Sequence, residues 1–273
     1  MATQSERAER FAALHAQDRL VLLPNPWSGG AARLLQALGF QALATTGAGA
    51  AFSSGAADRR LPATAVLANL AEICRATSLP VTADMQDGFG DTPEAAARAV
   101  LRAAEAGAVG CSIEDATSGP VKRIYPFSLS VERIHAASEA AATLPFPFVL
   151  TARADNFFEG IADLDDTIAR LQAYEEAGAK ALYAPGLCTV KEVRQVLASI
   201  SSPLNVLLHR AAEFDVPTLK QLGVRRVSVG AYLARVALDA MHRAAMDLQA
   251  VGRLTVVPRM SGADLNSLFE QAP

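Results

Sequence analysis

Histidine, cysteine, aromatic side chains and charge are all scarce in this chain of 273 residues. It has 4 histidines, 3 cysteines and 1 tryptophan, and aromatics make up 6% of it. The cysteines (Cys74, Cys111 and Cys188) are odd in number and lack metal-ligand spacing, which points to a reducing compartment. Charged residues amount to 19% with a formal net charge of -3, so there is no basic field of the kind a nucleic-acid binder carries. No apolar run approaches the ~20 residues that span a bilayer. The opening Met1 to Arg7 lacks the basic-then-apolar order of a secretion signal. These absences lead to the expectation of a cytoplasmic enzyme with a small-molecule partner and neither nucleic acid nor membrane.

What is present is apolar mass: 51% of the residues are hydrophobic, enough for a large core. A helix-to-strand junction recurs along the chain, at Ala37-Leu38-Gly39, Glu105-Ala106-Gly107, Glu176-Ala177-Gly178 and Gln221-Leu222-Gly223, each followed by a short apolar segment. Glycine suits such a place because helices often end in a left-handed residue. The segments Leu20 to Leu23, Ala42 to Thr45, Val81 to Ala83, Val109 to Ile113, Phe148 to Ala152, Ala181 to Ala184, Asn205 to Leu208 and Arg226 to Val229 read as strands. They are apolar on both faces, as parallel strands under helices must be. Thr92-Pro93-Glu94 opens a helix, and Asp163 to Ala177 carries Leu164, Ile168, Leu171 and Tyr174 at helical spacing. Eight alternations without a linker predict one α/β domain over residues 1–273, a (β/α)8 TIM-type barrel, with a doubly wound sheet as the alternative. Residues from about 231 to 273 form a helical extension, and such surplus helices point to a homo-oligomer, a dimer or tetramer.

Barrels carry chemistry where strands run into the following loops. Those positions hold Asn25 and Trp27, Thr45 to Gly49, Asp84 to Gly90, Glu114-Asp115, Arg153 to Asn156, Pro185-Gly186 and His209-Arg210. Asp84, Asp87, Glu114 and Asp115 are expected to converge, with Gln86 as a neutral donor. Such a cluster is costly without a cation, and oxygen-only ligation suits Mg2+ or Mn2+. Arg153 offers a cationic fork to a carboxylate, and the Thr46-Gly47-Ala48 turn aims backbone N–H groups at an oxyanion. A lone Asp at a strand end is more often a helix cap, so it is the combination that weighs here. Gly47-Ala48-Gly49 lacks the third glycine of a dinucleotide fingerprint. His15, His135 and His242 fall on helical stretches as surface or packing residues, while His209 stands where an acid or base is useful. The cysteines read as small buried side chains.

At these residues the chain resembles the isocitrate lyase/phosphoenolpyruvate mutase superfamily, from about Asn25 to about Tyr232. The matching motifs are Thr46-Gly47-Ala48, Gly55-Ala56-Ala57-Asp58, Asp84-Met85-Gln86-Asp87-Gly88-Phe89-Gly90, Ile113-Glu114-Asp115 and Thr151-Ala152-Arg153-Ala154-Asp155. The resemblance, which extends to carboxyphosphonoenolpyruvate phosphonomutases and 2-methylisocitrate lyases, implies a Mg-dependent enzyme that works through an enolate. It implies that Asp84 ligates the metal directly, with Asp58 and Glu114 acting through waters and Gln86 and Asp87 beside them. Gly47 and Ala48, with Thr46, would bind the keto-acid end, and Asp84, Arg153 and Asn205 would complete the substrate contacts. Residues Ala116 to Arg123 resemble the family's mobile gate.

Two departures narrow the reaction. Gln86 replaces the family's second acidic residue, with Asp87 one position later. The lyase gate carries a Cys as general acid, whereas here Lys122-Arg123 is followed by Ile124-Tyr125-Pro126. Arg153, Glu114 and Lys122 remain as candidate catalytic residues. The favoured reaction is C–C cleavage or decarboxylation of an α-keto acid resembling oxaloacetate, since departing CO2 needs no such acid. The alternatives are P–C chemistry on a phosphonate, and a keto-acid-binding relative without activity.

Overall fold

A computed structural model describes residues 2–17, 19–117 and 123–270. Its strands are β1 (Val21–Leu23), β2 (Leu43–Ala44), β3 (Val81–Asp84), β4 (Gly110–Glu114), β5 (Val149–Arg153), β6 (Ala181–Tyr183), β7 (Leu204–Leu207) and β8 (Arg226–Ser228). All pairings are parallel, in the order β1-β8-β7-β6-β5-β4-β3-β2. From β2 to β8 chain neighbours are sheet neighbours, and β1 pairs with β8, so no switch point exists and the doubly wound alternative falls away. Between β1 and β2 the ring closes by single contacts: Ala44 N–H donates to the Pro24 carbonyl at 3.2 Å, and Asn25 Nδ2 donates to the Thr45 carbonyl at 3.0 Å. Asn25 Oδ1 also accepts from Val229 N–H at 2.9 Å, which ties that seam to the end of β8.

The helices are α1 (Gln4–Ala16), α2 (Gly29–Ala37), α3 (Gly47–Ser53), α4 (Ala63–Ala76), α5 (Pro93–Glu105), α6 (Phe127–Ala142), α7 (Leu164–Glu176), α8 (Val190–Ser199), α9 (Val216–Gln221), α10 (Tyr232–Val251) and α11 (Gly262–Glu270). Thr92 and Asp163 cap α5 and α7 as their sequences foretell, accepting from Ala95 N–H and Asp166 N–H. The junction glycines Gly39, Gly107, Gly178 and Gly223 have φ of 84, 103, 102 and 88°, the left-handed stop that the repeated motif implies.

Two apolar layers hold the barrel. Outside the ring, strand residues such as Leu43, Ile113, Leu150 and Leu182 meet helix residues such as Leu70, Val100, Leu171 and Val193. At the ring's N-terminal end, Ala8, Phe11 and Leu14 of α1 pack on Val21, Leu23, Val109, Val149 and Ala181, so α1 stoppers the barrel from below. With the floor closed, only the C-terminal end is left to receive a ligand.

Candidate active site

A cavity of about 330 Å³ opens at the C-terminal ends of the strands. Asn25, Thr46, Ala48, Asp58, Asp84, Gln86, Glu114, Arg153 and Asn205 line it, together with His209. Gly47 stands at its edge with its N–H donating to Asp84 Oδ2 at 2.9 Å. A Cβ on Gly47 would sit 2.8 Å from Gln86 Nε2 and 3.3 Å from Asp84 Oδ2, so a side chain there would displace the Gln86 amide and crowd the acidic strand. Thr46 caps α3 through Gly49 N–H, which fixes the turn.

The centre of the site is an ion cluster. Glu114 and Arg153 are register partners on β4 and β5, with Arg153 Nη1 3.0 Å from Glu114 Oε2. Asp155 takes the other edge of the same guanidinium, accepting from Nε at 3.1 Å and Nη2 at 2.9 Å. Asp84 Oδ1 lies 3.4 Å from Nη1. Burial works to lower the Arg153 pKa, but Asp155, Glu114 and Asp84 outweigh it and hold it well above its ordinary value. Burial likewise pushes the Glu114 carboxyl up, against the pull of Arg153 and Arg59.

Arg59 is the residue that the sequence reading missed. Its Nη2 lies 3.2 Å from Glu114 Oε1 and 3.3 Å from Asp155 Oδ2, and its Nη1 lies 2.7 Å from Glu159 Oε1. Arg59 has φ of 58°; Gln86 at 53° and Phe89 at 59° are the other non-glycine residues with positive φ among the described residues. Each such conformation costs about 1–3 kcal/mol and tends to gather at functional sites. Two of these residues, Arg59 and Gln86, line the cavity.

Asp115 does not join the cluster. Successive strand residues face opposite sides, so with Glu114 inward Asp115 points out. It accepts from Asp155 N–H at 2.8 Å, Arg170 Nη1 at 3.1 Å and the Tyr174 hydroxyl at 2.6 Å. Burial, then the Asp155 charge, raises it to about 6. It is a strut between β4, β5 and α7. Asp87 is likewise absent from the cavity lining. Its Oδ1 accepts from Phe89 N–H at 2.9 Å while Arg133 of α6 grips its carbonyl, as the alternation from inward Asp84 and Gln86 leaves Asp87 facing out.

On either side of the segment expected to form a gate, Ala116 and Ile124 form an antiparallel bridge, and Thr117 and Arg123 exchange hydrogen bonds at 2.9 and 3.1 Å. Lys122 lies outside the described residues. His209 Nε2 stands 3.6 Å from the half-buried Cys188 Sγ at the cavity rim. His15 packs edge-on against Phe11 with ring centroids 4.5 Å apart, and its Nε2 also lies 3.4 Å from Arg226 Nη1 of β8.

A divalent cation fits this donor set. Arg59 and Arg153 face four carboxylates (Asp84, Glu114, Asp155 and Glu159), and Asp58 lines the cavity with Asp84 and Glu114 as a further oxygen donor. Gln86 Nε2 is buried without a hydrogen-bond partner, and rotating the Gln86 amide would aim an oxygen into the space beside Asp84. Among the described residues, no three carboxylate, imidazole or thiolate groups come together to hold an ion. A hard ion of the Mg2+ kind would rest on one or two carboxylates and keep several waters.

The chain matches the family model for phosphoenolpyruvate phosphomutase over residues 11–249. It is 33% identical to the 2-methylisocitrate lyase of Escherichia coli, over 78% of this chain and 73% of that one. The crystal structure of a Burkholderia cenocepacia J2315 protein, whose reaction is given no more closely than lyase or mutase, is 47% identical with a TM-score of 0.94, covering 98% of this chain and 97% of the other. A 2,3-dimethylmalate lyase of the same superfamily is 28% identical with a TM-score of 0.86, over 98% and 95% of the two chains. The chain therefore belongs to the phosphoenolpyruvate phosphomutase family, within the phosphoenolpyruvate mutase/isocitrate lyase superfamily of carbon–carbon lyases and phosphonomutases, and is an enzyme of that group.

Proposed function

We propose that the enzyme is a Mg2+- or Mn2+-dependent lyase that cleaves or decarboxylates a small α-keto carboxylate resembling oxaloacetate, through an enolate. The observation that carries this reading is the meeting of Gly47 N–H, Asp84, Glu114 and Arg153 at one cavity. The 2-methylisocitrate lyase and 2,3-dimethylmalate lyase relatives support a carbon–carbon bond as the target.

Asp84, with Asp58, Gln86 and Glu114 around it, would hold the metal, which supplies Lewis-acid polarisation of the keto oxygen. Asp155 takes Nε and Nη2 of Arg153 while Glu114 and Asp84 face Nη1, so a substrate carboxylate would share the Nη1/Nη2 end with these acids. The Thr46-Gly47-Ala48 turn would border the keto-acid end, with Gly47 N–H shared with Asp84, and Asn205 would bound it from below. Proton transfer is assigned to Glu114, whose carboxyl is pushed up by burial, and to Lys122 of the gate. Closing the gate excludes water from the reactive carbanion.

The test is a proton and phosphorus NMR time course with and without Mg2+ on oxaloacetate, 2-methylisocitrate, isocitrate and phosphonopyruvate. Metal-dependent loss of oxaloacetate or of a hydroxy tricarboxylate is expected. Consumption of phosphonopyruvate alone would replace the lyase reading with P–C chemistry.

The helix α10 buries only Ala234 along its 20 residues and leaves Val236, Met241, Met246, Leu248 and Val251 exposed. This face supports a homo-oligomer, dimer or tetramer, and a monomer in sedimentation velocity would remove it. Free thiols at the buried Cys74 and Cys111 support a reducing compartment, the cytoplasm. Among the described residues no helix is long and apolar enough to cross a membrane.

A further inference from the structure

The cavity contains a second buried guanidinium whose charge is balanced quite differently from that of Arg153. Arg226 of β8 is 4% exposed and lines the cavity. Its Nε donates to Asn205 Oδ1 at 3.1 Å, its Nη1 donates to Thr151 Oγ1 at 2.8 Å, and Nη1 faces His15 Nε2 at 3.4 Å. None of these partners is an anion. His15 Nδ1 sits 2.8 Å from the Phe11 carbonyl, which can only accept, so Nδ1 carries the proton and Nε2 offers its lone pair to Arg226. Burial and the Arg226 charge hold His15 at about 4, so the imidazole stays neutral. Burial lowers Arg226 to about 10, opposed only by Tyr183. Arg153 has three carboxylates against it, whereas Arg226 has none among the described residues.

A separate observation lies on the opposite wall. Thr82 of β3 is 2% exposed and lines the same cavity, and its Oγ1 is buried without any hydrogen-bond partner. Thr82 precedes Asp84 by two residues and Thr151 precedes Arg153 by two. At the rise of a parallel strand, this layer therefore lies about 7 Å deeper than the ion cluster. An uncompensated buried charge and an idle buried hydroxyl are both costly in an apolar setting, and one anion would satisfy both.

We propose that Arg226 and the Thr82 hydroxyl form an anion subsite at the floor of the cavity, which takes the distal carboxylate of a short dicarboxylic acid. The proposal rests on the keto-acid reading only for the acid's other end, at Asp84, Glu114 and Arg153. A single guanidinium matches one carboxylate, whereas a phosphonate dianion would carry surplus charge into a dry floor. The substrate would then be a diacid lying along the barrel axis, with its reacting end at the mouth.

Isothermal titration calorimetry in Mg2+ with succinate and oxalate tests this on the wild type, Arg226→Gln, Arg226→Lys and Thr82→Val. Oxalate, whose carboxyls are directly joined, fits the upper end alone and is expected to bind the wild type and Arg226→Gln alike. Succinate is expected to bind about thirtyfold more weakly to Arg226→Gln, with Arg226→Lys in between. Thr82→Val removes a hydroxyl that bonds to nothing, so it keeps the fold if Arg226→Gln does not, and it too weakens succinate. Equal succinate affinity in wild type, Arg226→Lys and Thr82→Val overturns the proposal, as does a wild type that binds no succinate. Succinate binding that depends on Arg226 without any oxalate binding would sustain the subsite and sink the keto-acid reading of the mouth.

Discussion

Glu114 and Arg153 stand opposite each other on adjacent strands, and the guanidinium that Glu114 touches also carries Asp84 and Asp155. Arg153 is thus a structural counter-ion as well as a candidate substrate fork.

Its removal has two consequences. Arg153→Ala leaves three carboxylates around an emptied position, and stranding buried charge typically costs about 3–5 kcal/mol. The expected result is a large fall in the urea midpoint together with a raised KM for a carboxylated substrate. Arg153→Lys restores most of the stability but not the two-pronged grip on Asp155. A wild-type urea midpoint in Arg153→Ala would show that the cluster does not depend on it.

Asp84→Asn separates the metal role from the fold. Asp84 is the least buried acid of the cluster, with a side chain 22% exposed, and Asn can still accept from Gly47 N–H. Turnover is expected to fall at least about a hundredfold, with loss of Mg2+ binding by calorimetry and a melting temperature within a few degrees of wild type. Treating the wild type with a chelator should mimic the variant and be reversed by Mg2+. Full activity in Asp84→Asn would remove Asp84 as the metal ligand.

His15 gives a pH dependence with a definite sign. Its folded-state pKa of about 4 lies below the ordinary 6.5, so the folded state resists taking the proton that the unfolded chain accepts. The associated stability is complete above pH 6.5 and is lost as pH falls toward 4, on the order of 3 kcal/mol in all. In His15→Gln that loss should vanish from the difference between melts at pH 7 and pH 4.5. If both proteins lose equal stability over that interval, His15 is not the group responsible.

The barrel was largely legible because its signals are local. Gly107 and Gly178 must be left-handed where a helix stops, and β4 and β5 are apolar runs of strand length. The site was legible as a set of strand ends and less so as a set of directions. Parity along β4 separates Glu114 from Asp115, a distinction available from the sequence once the inward residue is chosen. The same count from Asp84 puts Gln86 inward and Asp87 outward, so Asp87 too was separable from the sequence by parity. Arg59 follows Asp58 with no periodic or spacing cue, and only the fold brings it to Glu114 across the chain. Arg226 and Ser228 share a face of β8 by the same parity rule, but their burial at the axis depends on the ring closing.

Closure of that ring depends on Asn25, Pro24 and the backbone at Ala44 and Thr45. Every other pair of neighbouring strands is laced by a ladder, so the barrel resembles a belt whose buckle lies between β1 and β2. The Thr46-Gly47-Ala48 turn comes directly after the buckle, and Gly47 is pinned to Asp84 on the far side of β2. Fastening the belt and completing the mouth are one event. A ligand that grips the turn and the acidic strand together would therefore tighten the whole barrel, and slowed amide exchange at Ala44 and Gly47 would mark its arrival.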